Sequence, residues 1–584
     1  MSEVRFHTCM LCEASCGLAV ELEGSRVVSV RGDRDDRFSR GHICPKAAAI
    51  DDIRHDPDRV TTPLRRTASG WQPVSWDSAF NEASERLDRI RQEHGRHAIG
   101  VFAGNPMAHS YTGLFGLMTL IATLRTRSRF SSTSTDQLPH MLAGLQVFGH
   151  QLLLPVPDID RTRYFLVLGA NPVVSNGSLM TAPDITNRLK ALRGRGGKLV
   201  VVDPRRTETA ALADTHLAIR PGTDALFLAA LVRTVFEERL EAPGRLGRFM
   251  RGLDKVLEAV APYAPEAVAD ATGIAAALIR RVAGDFARAS SAVAYGRVGL
   301  CTQEFGAVSA WLVVVLNAIT GNLDRAGGAM FTTPAVDLVK LASLVGHRGS
   351  FGWYASRVRA LPEFGGELPT AVLAEEIETP GPGQIRALIT AAGNPVLSAP
   401  NGRRLERALA GLDFMVSVDL YRNETTRFAH LILPTSFGFE RDHYDVALYA
   451  LAVRNVARYA PALMAPAGDT RLDWDVFFEL ASRLDRSRGG RWLKAPVFQL
   501  LRRLGPRRML DGLLRFGAHG LSLSELESRP HGIDLGPLEP RLPGVLPLGR
   551  IELGPQLFMD DMGRLRRSLA AAPSSGLAGG LVLI

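Results

Sequence analysis

The chain is 584 residues long and 46% hydrophobic, with 69 Lys and Arg against 60 Asp and Glu for a net charge of +9. Length and apolar content on this scale build several cores rather than one. No apolar run is long enough to span a bilayer, and the opening MSEVRFHTCMLCEASCG lacks the basic and apolar regions of a secretory signal, so a cytoplasmic protein with no membrane segment is expected.

Five cysteines, four of them within the first 44 residues, exclude a disulfide scaffold and have the distribution of a ligand set. Cys9, Cys12 and Cys16 form C-x2-C-x3-C, and Cys44 follows 28 positions later, just before Pro45 and Lys46. Four thiolates satisfy either Zn2+ or an iron-sulfur cluster; a tight triple followed by a lone Cys-Pro favours a [4Fe-4S] cluster over the paired knuckles usual for zinc. Between the third and fourth cysteines, GLAVELEGSRVVSVRGD alternates apolar and polar residues around a Gly-Ser turn. This predicts a hairpin that folds Cys44 back beside the others. Lys46 is expected to face whatever exchanges electrons with the cluster, and Cys301, alone in GRVGLCTQEFG, reads as a buried apolar residue.

After the connector HDPDRVTTPLRR, the segment WDSAFNEASERLDRIRQEHG places Phe80, Ala83, Leu87 and Ile90 on one helical face and ends at Gly95. Apolar strands are then predicted at AIGVFAG, YFLVLGA, KLVVVD, SAVAYG, QIRALITAAG, FMVSVD and HLILP, separated by helical segments such as DALFLAALVRTVFEERL and GAVSAWLVVVLNAIT. Continuous apolar strands between helices define an α/β fold with mostly parallel, doubly covered sheets. Such sheets bind ligands beyond the carboxyl ends of their strands. Those ends read Gly104-Asn105-Pro106, Gly169-Ala170-Asn171-Pro172, Asp203-Pro204-Arg205-Arg206, Gly393-Asn394-Pro395 and Asp419-Leu420-Tyr421-Arg422-Asn423. Asn171-Pro172-Val173-Val174-Ser175 recurs as Asn394-Pro395-Val396-Leu397-Ser398, each after an apolar strand and a Gly. This predicts two related nucleotide-binding halves and a ligand with two nucleotide-like arms.

From Arg483 to Arg515, ten Lys and Arg stand against Asp485 and Asp511, a local charge of +8. The run reads as a solvated helical surface or as a docking face for an acidic partner. Nucleic acid is not expected, since no reader motif accompanies the charge. Residues 565 to 580 read as a Ser, Ala and Gly linker, and Leu581 to Ile584 as the start of a buried strand, so a truncated chain is expected.

Taken together, these blocks resemble the molybdopterin oxidoreductase superfamily, which includes dimethyl sulfoxide reductase, formate dehydrogenase and assimilatory nitrate reductase. The resemblance runs from residue 9 to about 481. It rests on the cysteine box with GHICPKA, then PLRR, SGWQPVSWDSAF, GNPMAH, GANPVVSNGS, VVVDPRRTETAALADTHLAIRPGTDA, ITGNLDRAGG, AAGNPVLS and LYRNETTRFAHLILPTS. It implies a molybdenum or tungsten bis(molybdopterin guanine dinucleotide) cofactor between two related α/β domains. The implied organisation is a β-rich [4Fe-4S] domain over 1–60, two interleaved α/β halves over 61–480, and a basic linker region with the start of a truncated closing domain over 481–584. Lys46 would lie between cluster and pterin. The guanine nucleotides would be met by Gly169, Asn171, Pro172, Ser175, Asp203, Arg205, Pro221, Gly222, Asp224, Gly393, Asn394, Pro395 and Ser398. The chemistry agrees: pyrophosphates need backbone N–H donors at Gly-rich turns and an Arg, and guanine or ribose needs an acid such as Asp203.

Relatives ligate the metal with Ser, Cys, selenocysteine or Asp from a loop before a helix carrying Ala-Gly. In SSTSTDQLPHMLAGLQVFGH, counting back from Ala143-Gly144 places Gln137 there, a poor ligand for a high-valent metal. Asp136 or Ser134 would need a shift in register of one or three residues; water, oxo or sulfido ligands are the alternative. His140 is placed to donate to a substrate oxygen or to such a ligand. The implied function is an oxidoreductase that moves electrons between a small-molecule substrate and a partner protein through the cluster. The alternative is a non-catalytic iron-sulfur subunit of the same fold, resembling the large iron-sulfur subunit of respiratory complex I.

Overall fold

The computed structural model describes residues 2–486 and 496–571. Its first strands, Glu3–Thr8, Gly17–Glu23 and Arg26–Gly32, form an antiparallel meander. The hairpin turns at Gly24, whose φ of +62° suits glycine. Leu18, Val20 and Leu22 pack beneath it against Ala47, Ile50 and Phe439.

Two further sheets carry the rest. The larger orders its strands Gly70–Pro73, Leu64–Thr67, Leu431–Leu433, Phe414–Val418, Ala387–Ala391, Ile99–Ala103 and Arg129–Ser131, antiparallel only at the end formed by the first two. The smaller is parallel throughout, in the order Thr215–Leu217, Lys198–Val202, Tyr164–Leu168 and Ala292–Gly296. Every residue of Tyr164–Leu168, Ala292–Gly296, Ala387–Ala391 and Phe414–Val418 is buried, as strands covered on both faces must be.

The two sheets share one plan. The run Leu431, Phe414, Ala387, Ile99 in the larger sheet matches the run Thr215, Lys198, Tyr164, Ala292 in the smaller, strand for strand. Only connectivity differs: the fourth strand comes last in the chain in the smaller sheet and first in the larger. The smaller sheet is thus inserted in sequence between two central neighbours of the larger one.

The helices obey their sequence signals. Helix Trp76–His94 starts where Ser75 Oγ accepts from Ser78 N, stops at Gly95 with φ +85°, and buries Phe80, Ala83, Leu87 and Ile90. Helix Gly306–Ile319 is buried nearly all round and uses its one amide to finish a sheet edge. Asn317 Oδ1 accepts from Ala294 N at 3.0 Å and Asn317 Nδ2 donates to Ala294 O at 3.0 Å, while Asn322 Oδ1 accepts from Ala292 N at 2.9 Å. The strand Ala292–Gly296 is thereby fixed on its free side, where an open edge would invite mispairing.

The region after residue 481 departs from the expected linker. Leu510, Leu514, Leu526, Leu538, Ile551, Phe558 and Leu565 are buried in the same core as the smaller sheet, because apolar residues recur among the arginines and give the segment an inward side. Helix Gln556–Ala571 continues through the first part of the stretch read as a flexible linker. Residues 572–584, with the predicted terminal strand, lie outside the described residues, as does the 487–495 part of the basic run. Several described arginines of that run are paired off: Arg483 with Asp77 and Glu479, Arg507 with Glu527, and Arg515 with Asp511. Among the described residues, no helix is long and apolar enough to cross a membrane.

Candidate cofactor cleft and iron-sulfur site

The cysteines sit where the meander's loops converge. Cys9 N donates to Cys16 O at 2.8 Å, closing the first loop, and Cys44 caps the short helix Pro45–Ala48. All are free thiols. Among the described residues, no three of their sulfurs lie within 4.8 Å of one another. Burial pushes Cys9 up to about 12 and also raises Cys12 and Cys16, with the charge of exposed Lys46 opposing this at Cys9 and Cys12. Thiols so buried ionise only where a cation replaces the proton, which is the chemistry of a metal-ligand set.

The loop between these cysteines is tied to both sheets. Glu13 accepts from Ser178 Oγ at 2.6 Å and from Leu179 N at 3.0 Å, on the smaller sheet's side. Ser15 Oγ donates to Asp445 at 2.9 Å. On the larger sheet's side, Arg59 grips Glu440 with two bonds of 2.8 and 2.6 Å, both side chains only 1% exposed. Arg458 lies 2.6 Å from Asp33 and 3.3 Å from Asp36.

The carboxyl ends of the two sheets carry the same device. Asn171 Nδ2 donates to Glu208 at 2.7 Å, Asn171 Oδ1 accepts from Thr209 Oγ1 at 2.8 Å, and Thr209 Oγ1 accepts from Val173 N at 3.1 Å. In the other half, Asn394 Nδ2 donates to Glu424 at 2.8 Å, Asn394 Oδ1 accepts from Thr425 Oγ1 at 2.7 Å, and Thr425 Oγ1 accepts from Val396 N at 3.1 Å. Beneath each clamp two strand-end loops touch: a Cβ on Gly169 would lie 2.8 Å from Gly299 C, and one on Gly393 would lie 3.1 Å from Gly104 Cα. Neither crossing has room for a side chain. Both asparagine side chains are committed to the clamps, so these loops offer a ligand their backbone rather than those amides.

Beside each clamp stands a carboxylate. Asp203 accepts from Arg205 N at 2.9 Å, and burial raises its pKa; Asp419 accepts from Leu420 N at 2.7 Å and Tyr421 N at 3.2 Å, and burial pushes it to about 6. Asp224, 4% exposed at the start of helix Asp224–Glu237, is also pushed to about 6 by burial and by the charge of Asp203. Acids so placed accept readily from neutral N–H groups. Arg205, Ser175, Ser398 and Gly222 are exposed, and Pro172 and Pro395 are buried supports; Pro221 is half-buried.

The predicted metal corner lies on the helices Thr133–Asp136 and Leu138–Phe148, with Gln137 between them. Ser134 Oγ accepts from Thr370 N at 2.9 Å, which commits its hydroxyl within the protein. Asp136 Oδ2 is 3.5 Å from Arg297 Nη2. The ring of His140 lines a cavity of about 40 Å³ with Tyr295, Gly296 and Asn317, and its Nε2 has no partner there. Burial and the charge of Arg297 lower its pKa to about 3, so at neutral pH its ring is uncharged.

The family model described as Molybdopterin oxidoreductase matches residues 59–483, and the one described as Molybdopterin oxidoreductase Fe4S4 domain matches residues 7–56. The chain belongs to the molybdopterin oxidoreductase family. It is 27% identical over 475 residues to the assimilatory nitrate reductase catalytic subunit of Bacillus subtilis, covering 78% of this chain and 64% of that protein. It is 26% identical over 495 residues to formate dehydrogenase H of Escherichia coli, covering 82% and 67%. Acetylene hydratase from Pelobacter acetylenicus shares the fold at a TM-score of 0.78 and 21% identity, over 95% of this chain and 78% of that one. The chain therefore spans about two thirds of the length of these curated relatives.

The family matches indicate a [4Fe-4S] cluster and a molybdenum or tungsten pterin as cofactors, and the residues present fit both. The four free cysteines gathered at the converging loops suit the cluster. The paired glycine crossings and the carboxylates Asp203, Asp224 and Asp419 suit two guanine nucleotides, whose ring N–H groups can donate to such acids. Sequence reasoning missed Asp419 as the twin of Asp203, and it missed Glu208, Thr209, Glu424 and Thr425. A signal was present: both segments read D-x2-R-x-E-T, from Asp203 to Thr209 and from Asp419 to Thr425. Glu13, Ser178 and Arg297 carried no comparable pattern.

Proposed function

We propose that this chain is the catalytic part of an oxidoreductase that exchanges electrons between a small molecule and a partner protein by way of the [4Fe-4S] cluster. The observation that carries the reading is the duplicated Asn-Thr-Glu clamp, with the cluster loop joined to one copy through Glu13. Two matching clamps suit a cofactor with two nucleotide arms, and the bonds of Glu13 to Ser178 and Leu179 give the cluster a fixed position relative to one of them. Cys9, Cys12, Cys16 and Cys44 would hold the cluster, and the loops at 169–175, 203–206, 221–224 and 393–398 would hold the nucleotides. When bound, the metal supplies two-electron chemistry, with or without an oxygen atom.

The protein's own part is positioning. Asp136 and Gln137 form the corner that faces the metal, and Arg297 sets the charge there. His140 is held neutral, with its Nε2 unpartnered. Anaerobic purification followed by Fe, Zn, Mo and W analysis tests this reading: about four Fe with near-stoichiometric Mo or W, and reduction of substrates by a viologen dye, are expected. Fe without Mo or W would instead support an electron-transfer subunit, and Zn without Fe would overturn the cluster.

A further inference from the structure

The basic stretch lies beyond residue 483, where the family match ends, and its charge is only partly neutralised. Helix Pro496–Phe516 breaks at Gly505, φ +66°, ahead of Pro506. Its inward side is fixed: Leu510 and Leu514 lie in the core, Arg507 Nη1 donates to the Tyr459 hydroxyl at 2.8 Å, and Arg507 also pairs with Glu527. Its outward side is bare. Arg502, Arg503 and Arg508 are exposed and have no ion pair among the described residues, whereas Arg515 is held by Asp511. Residues 508, 512 and 515 share one helical face, and at its middle a Cβ on the exposed Gly512 would meet nothing within 4 Å.

Apolar surface adjoins these charges. Lys340 Nζ lies 4.4 Å from the centre of the Phe516 ring, and Leu344 stands one turn on from Lys340 in the helix Leu338–Leu344. Phe516, Leu344 and Val345 are 49%, 66% and 70% exposed. The two segments are tied together by His519 Nε2, 2.8 Å from Thr333 O. Exposed apolar side chains rimmed by unpaired arginines have the make-up of a protein contact. The face is also linked to the cysteines. Tyr459, which receives Arg507, follows Arg458; the Arg458 guanidinium pairs with Asp33 and Asp36 and lies so close to Gly17, the neighbour of Cys16, that a Cβ there would overlap it.

We propose that this face is the docking surface for a small acidic electron-carrier protein, whose carboxylates meet Arg502, Arg503 and Arg508 while its apolar centre covers Phe516, Leu344 and Val345. This deepens the proposed function and rests on it: the partner protein is an acidic one-electron carrier. Each encounter moves one electron, the cluster being reduced as the carrier is oxidised, or the reverse. Opposite charges steer such encounters, raising association rates by about tenfold to a thousandfold at low ionic strength, and salt removes the gain.

The test mixes the holoenzyme with a reduced acidic [2Fe-2S] ferredoxin and follows cluster reduction by stopped-flow absorbance over a salt series. Wild type, R502E/R503E/R508E and L344S/V345S are compared, with Fe and Mo or W content, and cluster reduction by the methyl viologen radical, measured in each. The expected wild-type rate constant falls as salt rises. In the charge-reversed variant it is lower by about tenfold or more at low salt and no longer falls with salt, and in L344S/V345S it is also reduced; metal content and the viologen reaction stay unchanged. Should the triple variant not fold, R508E decides by a smaller loss with the same salt signature. Equal rates in all variants, or a wild-type rate insensitive to salt, overturn the proposal. So does loss of binding to phosphatidylserine vesicles in R502E/R503E/R508E with the ferredoxin rate intact, which assigns the face to a membrane surface. Wild type holding iron but no Mo or W defeats the functional reading instead, and the ferredoxin rate still reports on the face.

Discussion

The two halves of the cleft agree closely at the clamp and part immediately after it. In the first half the chain leaves Ser175 through Asn176 and Gly177, with φ of +57° and +79°, and arrives at Ser178 against Glu13 of the cluster loop. In the second it leaves Ser398 through an extended Ala399 and enters helix Gly402–Ala410, with no tie to the cysteines. The clamp is repeated in both halves; the continuation differs because the first half alone sends its clamp loop to Glu13 of the cysteine loop. The second half holds the N-terminal domain by other means, the buried Arg59–Glu440 pair. One contact is thus a set of hydrogen bonds to Glu13, and the other is a buried ion pair.

The comparison can be broken most severely at the cluster. Cys44→Ala should abolish bound iron, and hydrogen exchange should rise at 13–16 and 178–179 while 394–398 stays protected; equal loosening of both halves would show that the tie is not specific. Next comes the anchor. Glu440→Gln leaves Arg59 buried without its counter-charge, and a loss of about 3–5 kcal/mol in chemical denaturation is expected. Glu13→Gln, which keeps its shape and part of its bonding, should cost less and should alter the cluster's redox potential where Glu424→Gln does not. Thr209→Val and Thr425→Val each remove one clamp hydroxyl, buried at 0% exposure in both cases. Each should lose about 1–3 kcal/mol, and a clear inequality between them would end the claim of equivalence.

The smallest expected effect depends on pH. His443 is 1% exposed near the anchor, and burial lowers its pKa from 6.5 to about 3. The unfolded chain takes up that proton below 6.5 and the folded one only near 3. The stability gained by keeping the ring neutral is therefore complete above pH 6.5 and is lost as pH falls toward 3, by up to about 1.4 kcal/mol per unit. His443→Gln should flatten that slope in acid denaturation.

Much of the fold was legible. Apolar runs such as YFLVLGA and FMVSVD became fully buried parallel strands because nothing competes with that pattern once helices flank it, and the Gly-Ser hairpin formed where alternation predicted. Repetition of Asn-Pro-Val exposed the duplication, though not its mechanism, since the partners Thr209 and Thr425 lie far along the chain from their asparagines. Arg297 was illegible for another reason: an arginine after a strand reads as a surface charge until its surroundings are known. The segment beyond 481 misled because its arginines dominate the composition, whereas Leu510, Leu514 and Leu526 dominate the packing.

The insertion of one sheet inside the other also sets an order of assembly. Ile99–Ala103 pairs with Ala387–Ala391, which emerges from the ribosome only after the whole smaller sheet has been made. The inserted sheet can close on contacts nearby in the chain, whereas in the larger one Ile99–Ala103 can pair early only with Arg129–Ser131 and must hold its other edge open, a kinetic burden typical of distant pairing. Synthesis rate and chaperone supply thus bear more heavily on the outer half of this protein than on the inner one.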